Sequence, residues 1–183
     1  MSTWKSRGLR GSTLEELINR TNEQYREQGL ALIQKIPTPI TPINMDKESR
    51  HITLAYFDQK STVDYIGVVQ GIPVCFDAKE CKTDRFPIAN VHAHQIRFMT
   101  DFEKQRGISF LLIYYSSRDE FYYMPFEQLL TFWERAEKEG RKSFRYEELD
   151  PAFVIPSRSG VLIPYLECLQ LDLQKRDETE ENH

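Results

Sequence analysis

Two β-rich apolar runs, at residues 63–69 and 72–79, are separated only by Gln70 and Gly71. A two-residue connection that ends in glycine predicts a β-hairpin, because such turns need the positive φ that glycine accepts. If the turn has no bulge, Asp64 on the first strand faces Asp77 on the second. This position is a non-hydrogen-bonded pair, whose Cα atoms lie about 4.5 Å apart. The hairpin therefore predicts two carboxylates side by side on one face of a sheet.

Like charges directly opposite each other weaken a sheet, and a bound divalent cation would offset their repulsion. Ligands that are all oxygen suit Mg²⁺ or Mn²⁺ better than zinc. Lys79 lies two residues beyond Asp77 on the same face, where its ammonium could orient or help to deprotonate a metal-bound water. The group is typical of a phosphodiester-cleaving site. Two alternatives stay open: Asp77 and Lys79 may form a plain surface ion pair, and a bulge would separate Asp64 from Asp77.

The residues before the hairpin predict a helix, a strand and an arm. A capping box from Ser12 to Glu15 opens the helix, and Gly29 ends it. Residues 30–36 read as a short buried strand. Residues 37–42 contain three prolines and must be extended and exposed, since each proline removes a backbone donor. Residues 37–56 therefore fit a projecting arm, although a surface loop fits nearly as well.

The residues after the hairpin alternate between helices and strands. A helix is predicted at about 90–106, strands at 108–115 and 121–124, a helix from Pro125, and a last helix from near Pro164. This order predicts one α/β domain over residues 1–183, with helices around a mixed sheet. Residues 175–183 read as a disordered acidic tail.

Composition excludes several classes of protein. The 183 residues contain no apolar run of the roughly 18 residues that a spanning helix needs, and no secretory signal. The three cysteines form no C-x-x-C pair, so a disulfide framework or a zinc site is not expected. The formal net charge is −4, but four acids lie within residues 177–181, and the rest of the chain is formally neutral. We therefore expect a cytosolic protein, and charge alone neither supports nor forbids DNA binding.

Basic and polar side chains outside the hairpin supply further candidates. Phosphate contacts are expected from Arg7 and Arg10 near the N-terminus and from Lys47 and Arg50 on the arm. The histidines at 92 and 94 would point in different directions on a helix, so they are not expected to share a metal.

Several longer motifs resemble the RecU-type Holliday-junction resolvases of Gram-positive bacteria, which are restriction-endonuclease-like nucleases. The motifs occur in the family's order and at close to its spacing. They are Arg10-Gly-Ser-Thr-Leu-Glu15, Lys35-Ile-Pro-Thr-Pro39, Ala55-Tyr-Phe57, Ser61-Thr-Val-Asp-Tyr65, Phe76-Asp-Ala-Lys-Glu80, Phe86-Pro87, His92-Ala-His-Gln-Ile96, and Phe132-Trp-Glu-Arg135 with Gly140-Arg-Lys-Ser143.

The resemblance implies a homodimeric, Mg²⁺-dependent endonuclease with a restriction-endonuclease-like mixed sheet flanked by helices and a projecting stalk. Asp64 and Asp77 correspond to the metal-binding acids, Lys79 to the catalytic lysine and Gln95 to an active-site glutamine. Glu15 corresponds to an acid on the first helix, near the metal. Asp77 stands where the family usually has glutamate.

The function expected from the resemblance is symmetric, metal-dependent nicking of four-way DNA junctions in recombination and repair. The expected partners are branched DNA, a second copy of the chain and the strand-exchange recombinase, in the cytoplasm of a bacterium at the nucleoid. The alternative is a recombination factor that binds junctions without cutting them. The hairpin carboxylates distinguish the two, because a protein that only binds has no need of them.

Overall fold

The computed structural model describes residues 13–57, 62–138, 140–157 and 161–181, and the side chains of these residues except 57, 180 and 181. The helices are α1 Leu14–Glu27, α2 Ala93–Lys104, α3 Phe126–Lys138 and α4 Tyr165–Glu181. The strands are β1 Ala31–Lys35, β2 Ile40–Met45, β3 Ile52–Phe57, β4 Tyr65–Val69, β5 Ile72–Cys81, β6 Arg85–Pro87, β7 Ile108–Tyr115, β8 Glu120–Pro125, β9 Ser143–Arg145 and β10 Val154–Ile155.

Six strands form a mixed sheet in the order β1-β4-β5-β7-β8-β10, in which only β5 and β7 are parallel. The crossover between these two strands contains β6 and α2, as a parallel connection requires. Two smaller sheets pair β2 with β3 and β6 with β9. The predicted mixed α/β sheet flanked by helices is confirmed.

The β4–β5 hairpin has the register predicted from its turn. Val69 pairs with Ile72 and Val68 with Pro73, without a bulge. Gln70 and Gly71 both have positive φ, 48° and 87°, which is the backbone of a tight hairpin turn.

Helices cover the two faces of the sheet unequally. On one face, Tyr25 of α1 and Tyr165 of α4 pack edge to face, and Tyr165 lies over Phe76 and Phe110. On the other face, α2 and α3 contact β7 and β8 through hydrogen bonds such as Ser109 Oγ to the Met99 carbonyl. At the β1 edge, Leu32 and Val68 remain exposed.

Three expectations about element boundaries are corrected. The N-cap of α1 is Thr13, whose side chain and that of Glu16 form the capping box, because the same T-x-x-E pattern recurs one residue later. Strand β1 is an edge strand, not a buried one: only Ala31 is buried, since no helix covers its second face. Helix α4 continues through Glu181, where a disordered tail was predicted, and Lys175 of this segment pairs with Asp150.

Residues 40–57 form a two-stranded arm, as expected from the prolines. Strands β2 and β3 pair with each other and join neither of the other described sheets. The register shifts at Pro42, Asn44 and Met45, and most side chains of the arm are exposed.

Within the described ranges, no helix combines the length and apolarity needed to cross a lipid bilayer. The three cysteines are buried free thiols.

Candidate active site at the end of the β4–β5 hairpin

Asp64 and Asp77 lie beside each other where the hairpin ladder ends. The last paired residues are Tyr65 and Phe76, and Asp64 precedes β4. The backbone N–H of Asp64 donates to Asp77 Oδ1 at 3.1 Å, and the N–H of Ala78 donates to Asp64 Oδ2 at 2.9 Å. The Asp77 carboxylate therefore accepts a hydrogen bond from the backbone of Asp64. The Asp64 carboxylate in turn accepts one from the backbone of Ala78, the residue that follows Asp77. The two aspartates are adjacent, as predicted, but they lie just beyond the end of the ladder and do not form one of its pairs.

Asp77 is fully buried, and its two carboxylate oxygens have different surroundings. Gln95 Nε2 donates to Asp77 Oδ1 at 2.9 Å. The Lys79 ammonium lies 2.5 Å from Oδ2, but the contact lacks hydrogen-bond geometry, so Oδ2 accepts no hydrogen bond from the described residues. Burial raises the pKa of Asp77 to about 6; Lys79 opposes this rise, and the charge of Asp64 adds to it. The site therefore holds more negative charge than its surroundings neutralise.

Gln95 holds Asp77 in place. It lies in the first turn of α2, where its Oε1 accepts from the backbone N–H of His92 at 3.0 Å while its Nε2 reaches Asp77. Both ends of the buried amide are thus engaged within the protein. The resemblance implied an active-site glutamine at this position, and in this geometry Gln95 is a residue that positions Asp77.

Glu15 and Asp64, but not the buried Asp77, line the same cleft. The cleft has a volume of about 410 Å³, and Glu15, Lys35, Asp64 and Glu80 are among the residues that line it. Glu15 forms an ion pair with Lys35 of β1. Because Glu16, and not Glu15, closes the capping box, the Glu15 side chain is available to the cleft. Sequence reasoning missed Lys35 and Glu80 as lining residues, since only the packing of α1 against β1 forms this cleft.

The donor set fits a hard divalent cation, although incompletely. No group of three or more His, Cys, Asp and Glu side chains is placed to hold a metal within the described ranges. Two adjacent carboxylates and the buried Asp77 oxygen without a hydrogen bond nevertheless suit Mg²⁺, which usually takes one or two protein carboxylates and completes its shell with water and phosphate oxygens. The residues present therefore fit such an ion.

The remaining candidates lie elsewhere or have a different geometry. Lys47 and Arg50 lie on the turn between β2 and β3, and Arg50 has a positive φ of 58°. Arg7 and Arg10 fall outside the described residues. His92 and His94 were expected to point in different directions on a helix, but His92 is the N-cap of α2, and its ring stacks against that of His94 with centroids 5.4 Å apart.

Known proteins are similar to most of this chain. The family model described as recombination protein U matches residues 9–171. The Holliday junction resolvase RecU of Bacillus pumilus is 46% identical over 76% of this chain and 69% of the relative. The proteins of the same name from Oceanobacillus iheyensis and Bacillus subtilis are 41% and 42% identical, over 86% and 88% of this chain and 83% and 80% of theirs.

A solved structure of an archaeal Holliday junction resolvase, Archaeoglobus fulgidus Hjc, gives a more distant match. It has a TM-score of 0.39 and 8% sequence identity, over 62% of this chain and 77% of that one.

Proposed function

The chain belongs to the RecU family, and from this premise we propose that it is a Holliday junction resolvase, an endonuclease that nicks two opposed strands of a four-way DNA junction in recombination and repair. The observation that carries the proposal is the adjacent pair of carboxylates with Lys79 beside it. Buried like charges weaken a fold, so a protein that only bound junctions would gain nothing from them. This favours cutting over binding alone.

Mg²⁺, or Mn²⁺ in its place, is the cofactor that we propose for the site. Asp64 and Asp77 would hold it, with Glu15, which lines the same cleft as Asp64, as a further acid. When bound, the ion stabilises the charge that develops on the scissile phosphate and lowers the pKa of the attacking water. The positive charge also removes the cost of keeping Asp77 ionised in a buried position.

The protein side chains have separate tasks in this proposal. Gln95 fixes the orientation of Asp77 through Oδ1, and the Asp64 backbone N–H supports the same oxygen. Lys79 lies on the Oδ2 side, with its side chain 18% exposed, so its ammonium can reach from Asp77 to a phosphate oxygen or a water. Lys79 can therefore hold the nucleophile or share its proton.

Incubation with a synthetic four-way junction tests the proposal directly. The intact protein should make paired nicks in the junction when Mg²⁺ is present and none in EDTA, and it should leave a linear duplex of the same sequence uncut. Asp64→Asn and Asp77→Asn should bind the junction but not cut it, because phosphate contacts come from basic side chains elsewhere. Lys79→Ala should lower the single-turnover rate by about 10²–10⁴-fold.

Glu80→Gln is the matched control, since Glu80 also lines the cleft but is assigned no ligand role. This variant should cut like the intact protein. Normal nicking by both aspartate variants would remove the site assignment. Tight junction binding by the intact protein without any cutting would instead support the non-cleaving recombination factor.

A further inference from the structure

A second group of basic side chains lies on the ribbon formed by β6 and β9. In its register Arg85 is opposite Arg145, and Phe86 is opposite Phe144. The two phenylalanines are buried and stacked, with centroids 5.0 Å apart. Because side chains alternate along a strand, Arg85 and Arg145 lie on the outer face of the ribbon, where both are exposed.

The neighbouring carboxylates are already paired with other arginines. Arg118 binds Asp84 through two hydrogen bonds of 2.8 and 2.7 Å. Glu148 is paired with Arg135 at 2.6 Å and with Arg141 at 3.1 Å.

This leaves three basic side chains on the ribbon without a counter-charge. Arg85, Arg145 and the exposed Lys142, which directly precedes β9, have no carboxylate partner among the residues that the structure describes. Two arginines opposite each other repel, so the ribbon carries an unbalanced positive charge at a cost to its own stability. An anion from outside the chain would offset this cost.

The ribbon lies on the same side of the sheet as the carboxylate site. Cys81 Sγ donates to the carbonyl oxygen of Arg85 at 3.4 Å. Cys81 shares a face of β5 with Asp77 and Lys79, and it is four residues beyond Asp77, which corresponds to about 13 Å along the strand. One DNA strand advances about 3.4 Å per nucleotide, so a backbone that passes both sites would span roughly four nucleotides between them.

We propose that the outer face of this ribbon, formed by Arg85, Arg145 and Lys142, binds the sugar–phosphate backbone of the duplex arm that leads to the active site. The inference rests on the proposed function. It adds a binding surface for the duplex arm that extends past the cleavage site. Guanidinium groups suit phosphate oxygens, which they can bind through two parallel hydrogen bonds. Contacts of this kind fix the position of the DNA and carry no sequence information.

The test compares junction binding by the intact protein and by Arg85→Ser/Arg145→Ser, in Ca²⁺ so that nothing is cut. The double variant should bind about 10- to 100-fold more weakly at moderate salt, and the slope of log affinity against log salt should fall by about 2. The control, Arg20→Ser/Arg106→Ser, removes the same charge from two exposed arginines outside the ribbon and should change neither quantity.

A second variant separates binding from folding. Arg85→Glu places a carboxylate opposite Arg145, so the melting temperature should not fall, while junction affinity should fall at least as far as in the double variant. Unchanged affinity and slope in both ribbon variants, with normal binding by the intact protein, would overturn the ribbon proposal alone. An intact protein that neither bound nor cut junctions would overturn the proposed function together with it.

Discussion

At the scale of single residues, the ionised carboxylate of Asp77 lowers the stability of the fold, although the proposed metal binding needs it. Burial raises its pKa to about 6, and the nearby charge of Asp64 raises it further against the effect of Lys79. An acid whose pKa is raised in the folded state binds more protons there than in the unfolded chain. Stability therefore falls as pH rises from about 4 through 6, and the cost persists above that range.

Asp77→Asn should consequently stabilise the metal-free protein at pH 8, on the order of 2 kcal/mol, and should change little at pH 4, where the native carboxyl is already protonated. The asparagine can still accept the hydrogen bonds from Gln95 and from the Asp64 backbone through its Oδ1. Thermal unfolding in EDTA at the two pH values measures the difference. Asp101→Asn, at an exposed position, is the control and should show no gain at pH 8. A loss of stability that is larger at pH 8 than at pH 4 would mean instead that ionised Asp77 and Lys79 form a stabilising ion pair.

At the scale of elements, the arm differs from the rest of the structure in the side chains that it exposes. Ile43 and Met45 are 56% and 59% exposed, and Ile52 and Leu54 of the partner strand are about half exposed. The basic residues lie at the tip, where Asp46 accepts hydrogen bonds from Glu48 and Ser49. The arm therefore has an apolar stem and a charged tip, and we expect it to enter the open centre of a junction.

Replacement of residues 46–51 by Asn-Gly should close the pair Met45–Ile52 with a two-residue turn and leave the net charge unchanged. We expect junction affinity relative to linear duplex to fall by roughly tenfold, since Lys47 and Arg50, which we expect to contact phosphates, are removed. Competition binding measures this ratio, and the melting temperature should stay the same because the tip is exposed. Lys47→Gln/Arg50→Gln, which keeps the length, shows how much of the loss is due to charge. Unchanged selectivity in the shortened arm would make it a plain loop.

At the scale of the whole molecule, one face of the sheet remains uncovered at the β1 edge. Leu32 pairs with Val68, and Val68 pairs with Pro73, so three apolar side chains form a row across β1, β4 and β5. Leu32 is 58% exposed and Val68 is 38% exposed. Exposed apolar patches of this kind mark interaction sites, and symmetric nicking needs two active sites related by a two-fold axis. We therefore expect a homodimer that buries this row.

Leu32→Glu/Val68→Glu should convert the dimer into a monomer, measured by light scattering during size-exclusion chromatography. The monomer should make single nicks and lose the paired nicks, because each chain retains its own carboxylates. Gln105→Glu/Thr131→Glu adds the same charge at exposed positions elsewhere and should leave the dimer intact. A dimer that persisted in the Leu32/Val68 variant would place the interface on another surface.

Some contacts of the site connect residues that are close in the chain, and others connect elements that are far apart in it. The pairing of Val69 with Ile72 could be predicted from two turn residues, and with it the approach of Asp64 to Asp77. The contact of Gln95 with Asp77 could not be derived from spacing, since it depends on where α2 returns to the sheet. The same is true of Glu15, whose role changed when the helix began one residue later than expected.

The sequence by itself determined the longer helices and strands, the hairpin register and the family, because each of these depends on residues that are close in the chain or on whole motifs. Only the tertiary structure decided which groups became buried and which remained without a partner. Burial and charge pairing depend on how helices and strands far apart in the chain cover one another. For that reason the raised pKa of Asp77, the uncovered row at β1 and the opposed arginines of the β6–β9 ribbon appear only in the folded molecule.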